Sequence, residues 1–246
     1  MRDWKGKTYW IVGASEGLGR AVAEALSRLG VSLVVSARSG DRLDELVEAL
    51  PGRARAVEID VTDQKSVEAA AAEAGEIDGM VYLAGVYWPM ESQEWNTEQA
   101  VAMTEVNYIG AQRVLGAVLP AMLERDAGHI VLTGSPTGFR GLPGGQGYIP
   151  SKSAVMSMAE CLNADLRNTG IDVQLVNPGF IRTRLTDKND FEMPFIMDPE
   201  PAADHVVAAM TAARFQTNFP RVFSWVFRAS QFLPAPLYFR LFGAKG

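Results

Sequence analysis

The sequence contains a single cysteine, Cys161, so it cannot form an internal disulfide, and a reducing compartment is its simplest location. It also lacks an uncharged apolar run long enough to span a bilayer as a helix. The first residues carry charges and no apolar centre, which argues against a signal peptide. A formal net charge of -6 argues against general binding to nucleic acid. We therefore expect a cytoplasmic protein, and no metal site is predicted.

Acidic residues are absent after Asp204, although basic and aromatic residues are frequent there. The basic residues are Arg214, Arg221, Arg228, Arg240 and Lys245. We interpret residues from about 216 to 246 as an aromatic and basic extension, in which one helical face would carry Val222, Trp225, Val226 and Ala229. Three interpretations stay open: the extension covers its own core or lid, forms an oligomer contact, or lies on an anionic membrane surface.

Apolar runs that suit buried strands alternate along the chain with helical patterns. The predicted strands are 8–12, 31–37, 55–60, 80–84, 129–133 and 171–176. Repeated alternation of this kind predicts a Rossmann-like, doubly wound α/β fold, in which a parallel sheet of six to seven strands has helices on both faces. Because no linker, repeat or low-complexity segment interrupts the pattern, residues 1–246 are interpreted as one dinucleotide-binding domain.

A glycine-rich turn joins the first predicted strand to the first predicted helix. Its spacing is Gly13-x-x-x-Gly17-x-Gly19. Backbone N–H groups at a helix N-terminus are free to bind an anion, and glycines allow a pyrophosphate to approach them closely. In this strand–turn–helix context, the turn predicts nucleotide binding.

A tyrosine and a lysine one helical turn apart, Tyr148 and Lys152, have the spacing of a proton-transfer pair. A phenol has a pKa of about 10, and a nearby ammonium would lower it. Pro150 lies between them, and because proline is tolerated in the first turn of a helix, we expect that helix to begin close to Tyr148.

Several polar or glycine residues follow predicted strands directly. They are the Gly13 turn, Asp60, Gly85, Ser135 and the segment 177–179. In open parallel sheets the ligand binds beyond the carboxyl ends of the strands. These residues are therefore expected to converge on one site.

Over about residues 6 to 215, the chain resembles the short-chain dehydrogenase/reductase family. The glycine turn, Asp60-Val61, Leu83-Ala84-Gly85, Asn107, Ser135, Tyr148-x-x-x-Lys152 and the segment 178–183 stand in the order of that family's motifs. Val12, Tyr82 and Leu83 depart from the usual motif residues, but none of these changes removes a proton-transfer group.

The resemblance implies an NAD(P)-dependent oxidoreductase that transfers a hydride between a nicotinamide and a carbonyl or secondary alcohol. The implied catalytic residues are Asn107, Ser135, Tyr148 and Lys152. Ser135 would bind the substrate oxygen and Tyr148 would move the proton. Lys152 would lower the pKa of Tyr148 and hold the nicotinamide ribose, while Asn107 would anchor a water. The implied cofactor-binding residues are Gly13, Ser15, Glu16, Gly17, Leu18, Gly19, Arg38, Asp60, Val61, Ala84, Gly85, Tyr148, Lys152, Pro178, Gly179, Ile181 and Thr183.

The choice of cofactor depends on the end of the second predicted strand, where no carboxylate is present and Arg38 follows. An arginine suits the 2′-phosphate of NADP, so NADP(H) is favoured over NAD(H), although Glu16 argues the other way. Aromatic and methionine residues in segments 87–90 and 191–197 favour an apolar substrate. A homodimer or homotetramer is expected. The alternative function is a non-catalytic dinucleotide sensor or scaffold on the same fold.

Overall fold

The computed structural model describes residues 2–243, which form seven strands and nine α-helices. The strands are β1 (Thr8–Val12), β2 (Ser32–Ala37), β3 (Ala54–Glu58), β4 (Gly79–Tyr82), β5 (Gly128–Thr133), β6 (Ile171–Pro178) and β7 (Gln216–Phe219). The helices are α1 (Gly17–Arg28), α2 (Gly40–Ala49), α3 (Gln64–Ala74), α4 (Thr97–Thr104), α5 (Gly110–Glu124), α6 (Tyr148–Asp165), α7 (Pro199–Thr211), α8 (Arg221–Ser230) and α9 (Ala235–Phe242). Lys245, one of the basic residues of the predicted extension, lies outside the described residues.

The seven strands form one parallel sheet in the order β3-β2-β1-β4-β5-β6-β7. The direction of winding reverses between β1 and β4, and such a reversal leaves a crevice at the carboxyl ends of those two strands. The predicted doubly wound parallel sheet is thus confirmed, with seven strands. The seventh strand was not located by the sequence pattern, because only Phe219 of its four residues is fully buried.

Helices cover both faces of the sheet, and alternate residues of β1 pack against opposite layers of helices. Tyr9 and Ile11 pack with α1, α2 and α7, whereas Trp10 and Val12 pack with α3, α5 and α6. A strand that is buried on both faces is apolar at most of its positions, which explains the nearly continuous apolar runs in the sequence. The packing therefore holds the carboxyl ends of the strands in one fixed row.

The long helical segment predicted after residue 97 is divided in the structure. Helices α4 and α5 are joined by a π-helical turn at Glu105–Ile109, and Asn107 lies within it. Single π-turns inside helices are frequent at functional sites. The expectation that a helix begins close to Tyr148 is confirmed, since Tyr148 is the first residue of α6.

The C-terminal segment first adds β7 to the edge of the sheet and then forms α8 and α9. Pro234 precedes α9 and Pro236 lies in its first turn, so the prolines separate two short helices. No helix within residues 2–243 has the length and apolar character that crossing a membrane requires.

Candidate active site

The predicted catalytic side chains meet beyond the carboxyl ends of β4 and β5. Ser135 follows β5 in an extended conformation and caps a short 3-10 helix at Pro136–Phe139. Tyr148 begins α6, and Lys152 follows one turn later, so both point from one face of that helix. Ser135 and Lys152 are each only 6% exposed, which places their polar atoms in a largely water-excluded environment.

The phenol of Tyr148 lies among partly buried groups. Burial raises its pKa to about 12, while the neighbouring Ser135 hydroxyl opposes this rise and Tyr87 adds to it. The ring of Tyr87 contacts that of Tyr148 edge-on, with 5.0 Å between centroids. The sequence-based expectation of a lowered pKa is therefore wrong for this arrangement, because burial outweighs every stabilising contact of the phenolate.

The ammonium of Lys152 is hydrogen-bonded to the backbone. Its Nζ donates a hydrogen bond to the Thr133 carbonyl oxygen at 2.9 Å and lies 5.9 Å from the centre of the Tyr148 ring. Burial lowers the pKa of Lys152 from 10.5 to about 8. A lysine with this pKa can gain and lose a proton near neutral pH, which suits a residue that assists proton transfer.

Asn107 is completely buried, and its amide is fully engaged with the chain. Its Oδ1 accepts from the Val86 backbone N–H at 2.8 Å, and its Nδ2 donates to the Val86 carbonyl and to Ser151 Oγ, each at 3.0 Å. The π-turn thus ties the segment after β4 to α6. Gly85 lies between Asn107 and Lys152, since a Cβ there would be 3.4 Å from Asn107 Oδ1 and 3.9 Å from Lys152 Nζ.

The glycine turn lies at the reversal point of the sheet. Gly13 has a φ of +96°, and a Cβ on it would come within 2.4 Å of the Ala84 backbone nitrogen. Gly17, with a φ of +54°, opens α1 and lies against the Thr183 methyl group. The preceding residue, Glu16, provides no side-chain cap for the helix. The first N–H groups of α1 are thus left for an anion, so this turn fits the pyrophosphate of a nicotinamide dinucleotide.

The polar rim beside this turn contains the residues predicted to select the cofactor. Arg38 is exposed. Burial raises the pKa of Asp60, but hydrogen bonds from Thr62 and the charges of Arg38 and Arg113 together hold that pKa below its ordinary value. Glu16 forms ion pairs with Arg42, at 3.0 Å, and with Arg184. The negative charge of Glu16 is therefore already matched by two guanidinium groups.

The segment after β6 carries the remaining predicted cofactor-binding residues. Gly179 donates its N–H to the Phe219 carbonyl at 2.7 Å, and Ile181 is buried and paired with Met197. These contacts hold the base of the segment 184–197, for which the family resemblance implies a lid over the substrate. Among the other predicted cofactor-binding residues, Leu18 and Val61 point their side chains into the apolar core.

Several contributing groups were not identified from the sequence. Thr133 was not among the predicted site residues, yet its backbone carbonyl accepts a hydrogen bond from Lys152. Ser151 anchors Asn107, and Tyr87 both contacts Tyr148 and donates its hydroxyl to Asn189 Oδ1 at 2.9 Å. A contact made by a backbone carbonyl does not depend on the side chain, so the residue type gives no signal for it. Tyr87 was predicted only as part of the aromatic segment 87–90, and its contact with Tyr148 had no signal in the sequence.

Comparison with known proteins gives consistent matches. A family model described as short chain dehydrogenase matches residues 7–193, which include all four predicted catalytic residues. The chain is 36% identical over 249 residues to an uncharacterized oxidoreductase from Myxococcus xanthus (strain DK1622), covering 97% of each protein. It is 26% identical to a short chain dehydrogenase/reductase from Burkholderia phymatum solved in complex with NAD, with a TM-score of 0.85 and coverage of 93% and 94%. It is also 26% identical to an alcohol dehydrogenase from the archaeon Thermococcus sibiricus complexed with 5-hydroxy-NADP, with a TM-score of 0.77 and coverage of 87% and 95%.

Proposed function

Because the chain belongs to the short-chain dehydrogenase/reductase family and is an NAD(P)-dependent oxidoreductase, we propose that it reduces the carbonyl group of an apolar small molecule with NADPH, or oxidises the corresponding secondary alcohol. The observation that carries this proposal is the grouping of Ser135, Tyr148 and Lys152 beyond β5, next to the crevice formed by the glycine turn. The nicotinamide supplies or accepts the hydride, and the chain supplies proton transfer and positioning.

Tyr148 is the proposed proton donor. Because burial raises its pKa to about 12, the phenol carries its proton at neutral pH and can give it to the alkoxide-like oxygen that develops during reduction. Ser135 donates a hydrogen bond to the same oxygen in this proposal, since its hydroxyl lies beside the phenol and can rotate.

Lys152 and Asn107 are the proposed supporting residues. The Lys152 ammonium holds the nicotinamide ribose and places a positive charge near the phenol as the proton leaves. Asn107 fixes the Val86 backbone and Ser151 around this lysine. This positioning role stands beside the water-anchoring role that the family resemblance implies.

The proposed preference for NADPH rests on charge at the rim of the crevice. The carboxyl end of β2 provides Arg38 and no carboxylate, and an exposed guanidinium is suited to a 2′-phosphate. Glu16, which argued against NADP, is paired with Arg42 and Arg184, so its repulsion of a phosphate is reduced. The remaining predicted residues would hold the pyrophosphate at the glycine turn, the adenine at Asp60-Val61 and the carboxamide at Ile181 and Thr183.

The proposed apolar substrate rests on the rings around the phenol and the lid. Tyr87 contacts Tyr148, and Lys188 of the lid lies 4.3 Å above the Trp88 ring. Phe180 contacts Phe191, with 5.9 Å between centroids. Aromatic side chains around a few polar groups are typical of pockets for apolar ligands.

A panel of carbonyl compounds tests this proposal. NADPH and NADH oxidation would be measured with lipid-like ketones and aldehydes and with sugar-like carbonyls, for the wild type and for Tyr148→Phe. We expect turnover with the apolar members and NADPH, reduced at least about 100-fold in the variant. Equal turnover in both proteins would contradict the mechanism, and a preference for the sugar-like members would contradict the substrate class. Dinucleotide binding with no turnover of any member would favour the sensor or scaffold alternative.

The cytoplasmic location and the homodimer or homotetramer stay proposals. Light scattering on the purified chain would measure the assembly, and a monomer at micromolar concentration would contradict the expected oligomer.

A further inference from the structure

Exposed apolar side chains are concentrated at the C-terminal end of the described chain. Of the thirteen large hydrophobic side chains that are exposed within residues 2–243, seven lie between Val222 and Leu241. We call these seven the tail patch: Val222, Trp225, Val226, Phe232, Leu237, Phe239 and Leu241. Trp225 is 69% exposed and Phe232 is 87% exposed, so these rings are almost as accessible as in an extended chain. Clusters of this kind mark interaction surfaces.

The opposite faces of the same two helices are anchored to the body of the protein. Phe223 of α8 contacts Phe180, which follows β6, with 5.4 Å between ring centroids. Arg140 donates to the carbonyls of Ser230 and Leu233, and its guanidinium lies 3.8 Å above the ring of Tyr238. Tyr238 itself donates to the Gly141 carbonyl at 2.7 Å. The tail patch therefore faces outward because the other side of each helix is already docked.

The charges around the tail patch have one sign. Arg221, Arg228 and Arg240 are exposed and make no ion pair with any carboxylate among residues 2–243. The chain has a net charge of -6, yet no acidic residue follows Asp204. An apolar helix face flanked by arginines, with tryptophan and phenylalanine in it, is typical of a helix that lies in a membrane interface.

We propose that the tail patch binds the surface of an anionic lipid bilayer, with α8 and α9 lying in the interface and the arginines contacting lipid headgroups. A second copy of the chain is a poorer occupant. A two-fold interface places each patch against its own image, so arginines would face arginines with no carboxylate after Asp204 to pair with them. Anionic lipid supplies both the apolar medium and the opposite charge. The inference goes beyond the proposed function and does not depend on it.

Vesicle sedimentation tests the proposal with the full chain. The probes are vesicles of phosphatidylcholine alone and of phosphatidylcholine with phosphatidylglycerol, at physiological and high salt. We expect at least about tenfold more protein on the anionic vesicles, since each basic residue near the surface adds to the attraction, and release at high salt. The variants Arg221→Gln/Arg228→Gln and Trp225→Ser/Phe232→Ser should each lose most of this binding.

Matched controls separate lipid binding from a loss of structure. Arg53→Gln/Arg167→Gln removes two exposed arginines elsewhere, and Trp95→Ser removes a tryptophan that is 55% exposed on another surface. Both controls should bind like the wild type, and all variants should keep the wild-type circular dichroism and unfolding temperature. Equal sedimentation with neutral and anionic vesicles, or no sedimentation, would overturn the proposal. A dimer in light scattering that is lost only in Trp225→Ser/Phe232→Ser, without vesicle binding, would assign the patch to a second copy instead.

Discussion

The two ends of β5 carry polar clusters that are equally buried and differently satisfied. His129 lies at the amino end of the strand and has no exposed surface, while Ser135 and Lys152 at the carboxyl end are nearly as buried. At the amino end every polar atom finds a partner within the chain. At the carboxyl end Ser135 contacts the Thr137 hydroxyl, at 2.9 Å, and the phenol of Tyr148, and the hydrogens of such hydroxyl groups can rotate toward a ligand. The comparison separates polar groups that hold the fold from those available for chemistry.

The amino-end cluster is a closed chain of hydrogen bonds. Tyr9 Oη and His129 Nδ1 are 2.8 Å apart, and His129 Nε2 and Gln174 Oε1 are also 2.8 Å apart. The two N–H groups of Gln174 Nε2 are shared among three backbone carbonyls, those of Ala209, Ala212 and Arg214. Since Gln174 Oε1 then accepts, His129 Nε2 carries the proton and Nδ1 accepts from Tyr9. Burial lowers the pKa of His129 to about 3, so the ring stays neutral.

In the carboxyl-end cluster, burial shifts the pKa values of groups that can transfer protons. Burial lowers the pKa of Lys152 from 10.5 to about 8 and raises that of Tyr148 from 10.0 to about 12, so the two values move apart and the lysine becomes the more acidic group. The lysine can then lose its proton before the phenol does. Two titratable groups with such shifts beside a crevice are typical of a catalytic site.

The largest expected effect is at Lys152. Lys152→Met keeps much of the side-chain volume and removes the charge, so turnover should fall at least about 100-fold. The unfolding temperature should stay the same or rise, because a buried ammonium is costly to desolvate. Steady-state kinetics and thermal unfolding would measure the two effects, with Lys65→Met on the exposed face of α3 as the control. Near wild-type turnover in this variant would show that the charge of Lys152 is not needed for catalysis.

The next effect is at the amino end. His129→Leu leaves Tyr9 Oη and Gln174 Oε1 without their partner, which should lower the free energy of unfolding by about 3 kcal/mol. Turnover per folded molecule should not change, because this cluster lies at the opposite end of β5. Urea unfolding and kinetics would measure both, with His205→Leu at the exposed second histidine as the control. A loss of turnover that exceeds the loss of folded protein would contradict the distinction between the two ends.

The pH dependence of stability should follow His129. Its pKa is about 3 in the fold and about 6.5 in the unfolded chain, so the unfolded state binds more protons below pH 6.5. The free energy of unfolding should therefore fall by about 2 kcal/mol from pH 7 to pH 5 through this residue. His129→Leu should lack this part of the decrease, which unfolding curves at several pH values would reveal. Parallel curves for the two proteins would show that His129 does not titrate as described.

The smallest effect is at the rim of the crevice. Arg38→Gln should raise the KM for NADPH about tenfold by removing one charge-assisted contact and should leave the KM for NADH unchanged. Arg53→Gln, at another exposed arginine, should change neither value. Equal shifts for both cofactors would mean that Arg38 does not contact the 2′-phosphate.

Local patterns were sufficient to predict most of the fold. Apolar runs of strand length correspond to β1, β2 and β4 to β6, because a strand buried on both faces is apolar at most of its positions. The apolar pattern did not predict β7, because its residues are mostly polar and join the sheet edge through backbone hydrogen bonds. It also could not detect the π-turn at Asn107, since a one-residue widening of a helix has no periodic signature.

The candidate site was predicted by residue type and spacing, and its electrostatics were not. Ser135, Tyr148 and Lys152 were identified as a set, but the pKa of Tyr148 was expected to fall and instead rises. The sign of that shift depends on how completely neighbouring segments exclude water, and on Lys152 donating to the Thr133 carbonyl. Neither property can be inferred from the spacing of the two side chains.

By itself, the sequence determined the order of strands and helices, the glycine turn and the tyrosine–lysine pair, because these depend on residues within a few positions of one another. The tertiary structure decided which polar groups became neutral, which stayed available at the crevice and which face of the tail was left exposed. Tyr9 meets His129 across 120 positions of sequence, and His129 meets Gln174 across 45. Contacts over such separations are fixed by the packing of the whole chain, and burial and pKa follow from that packing.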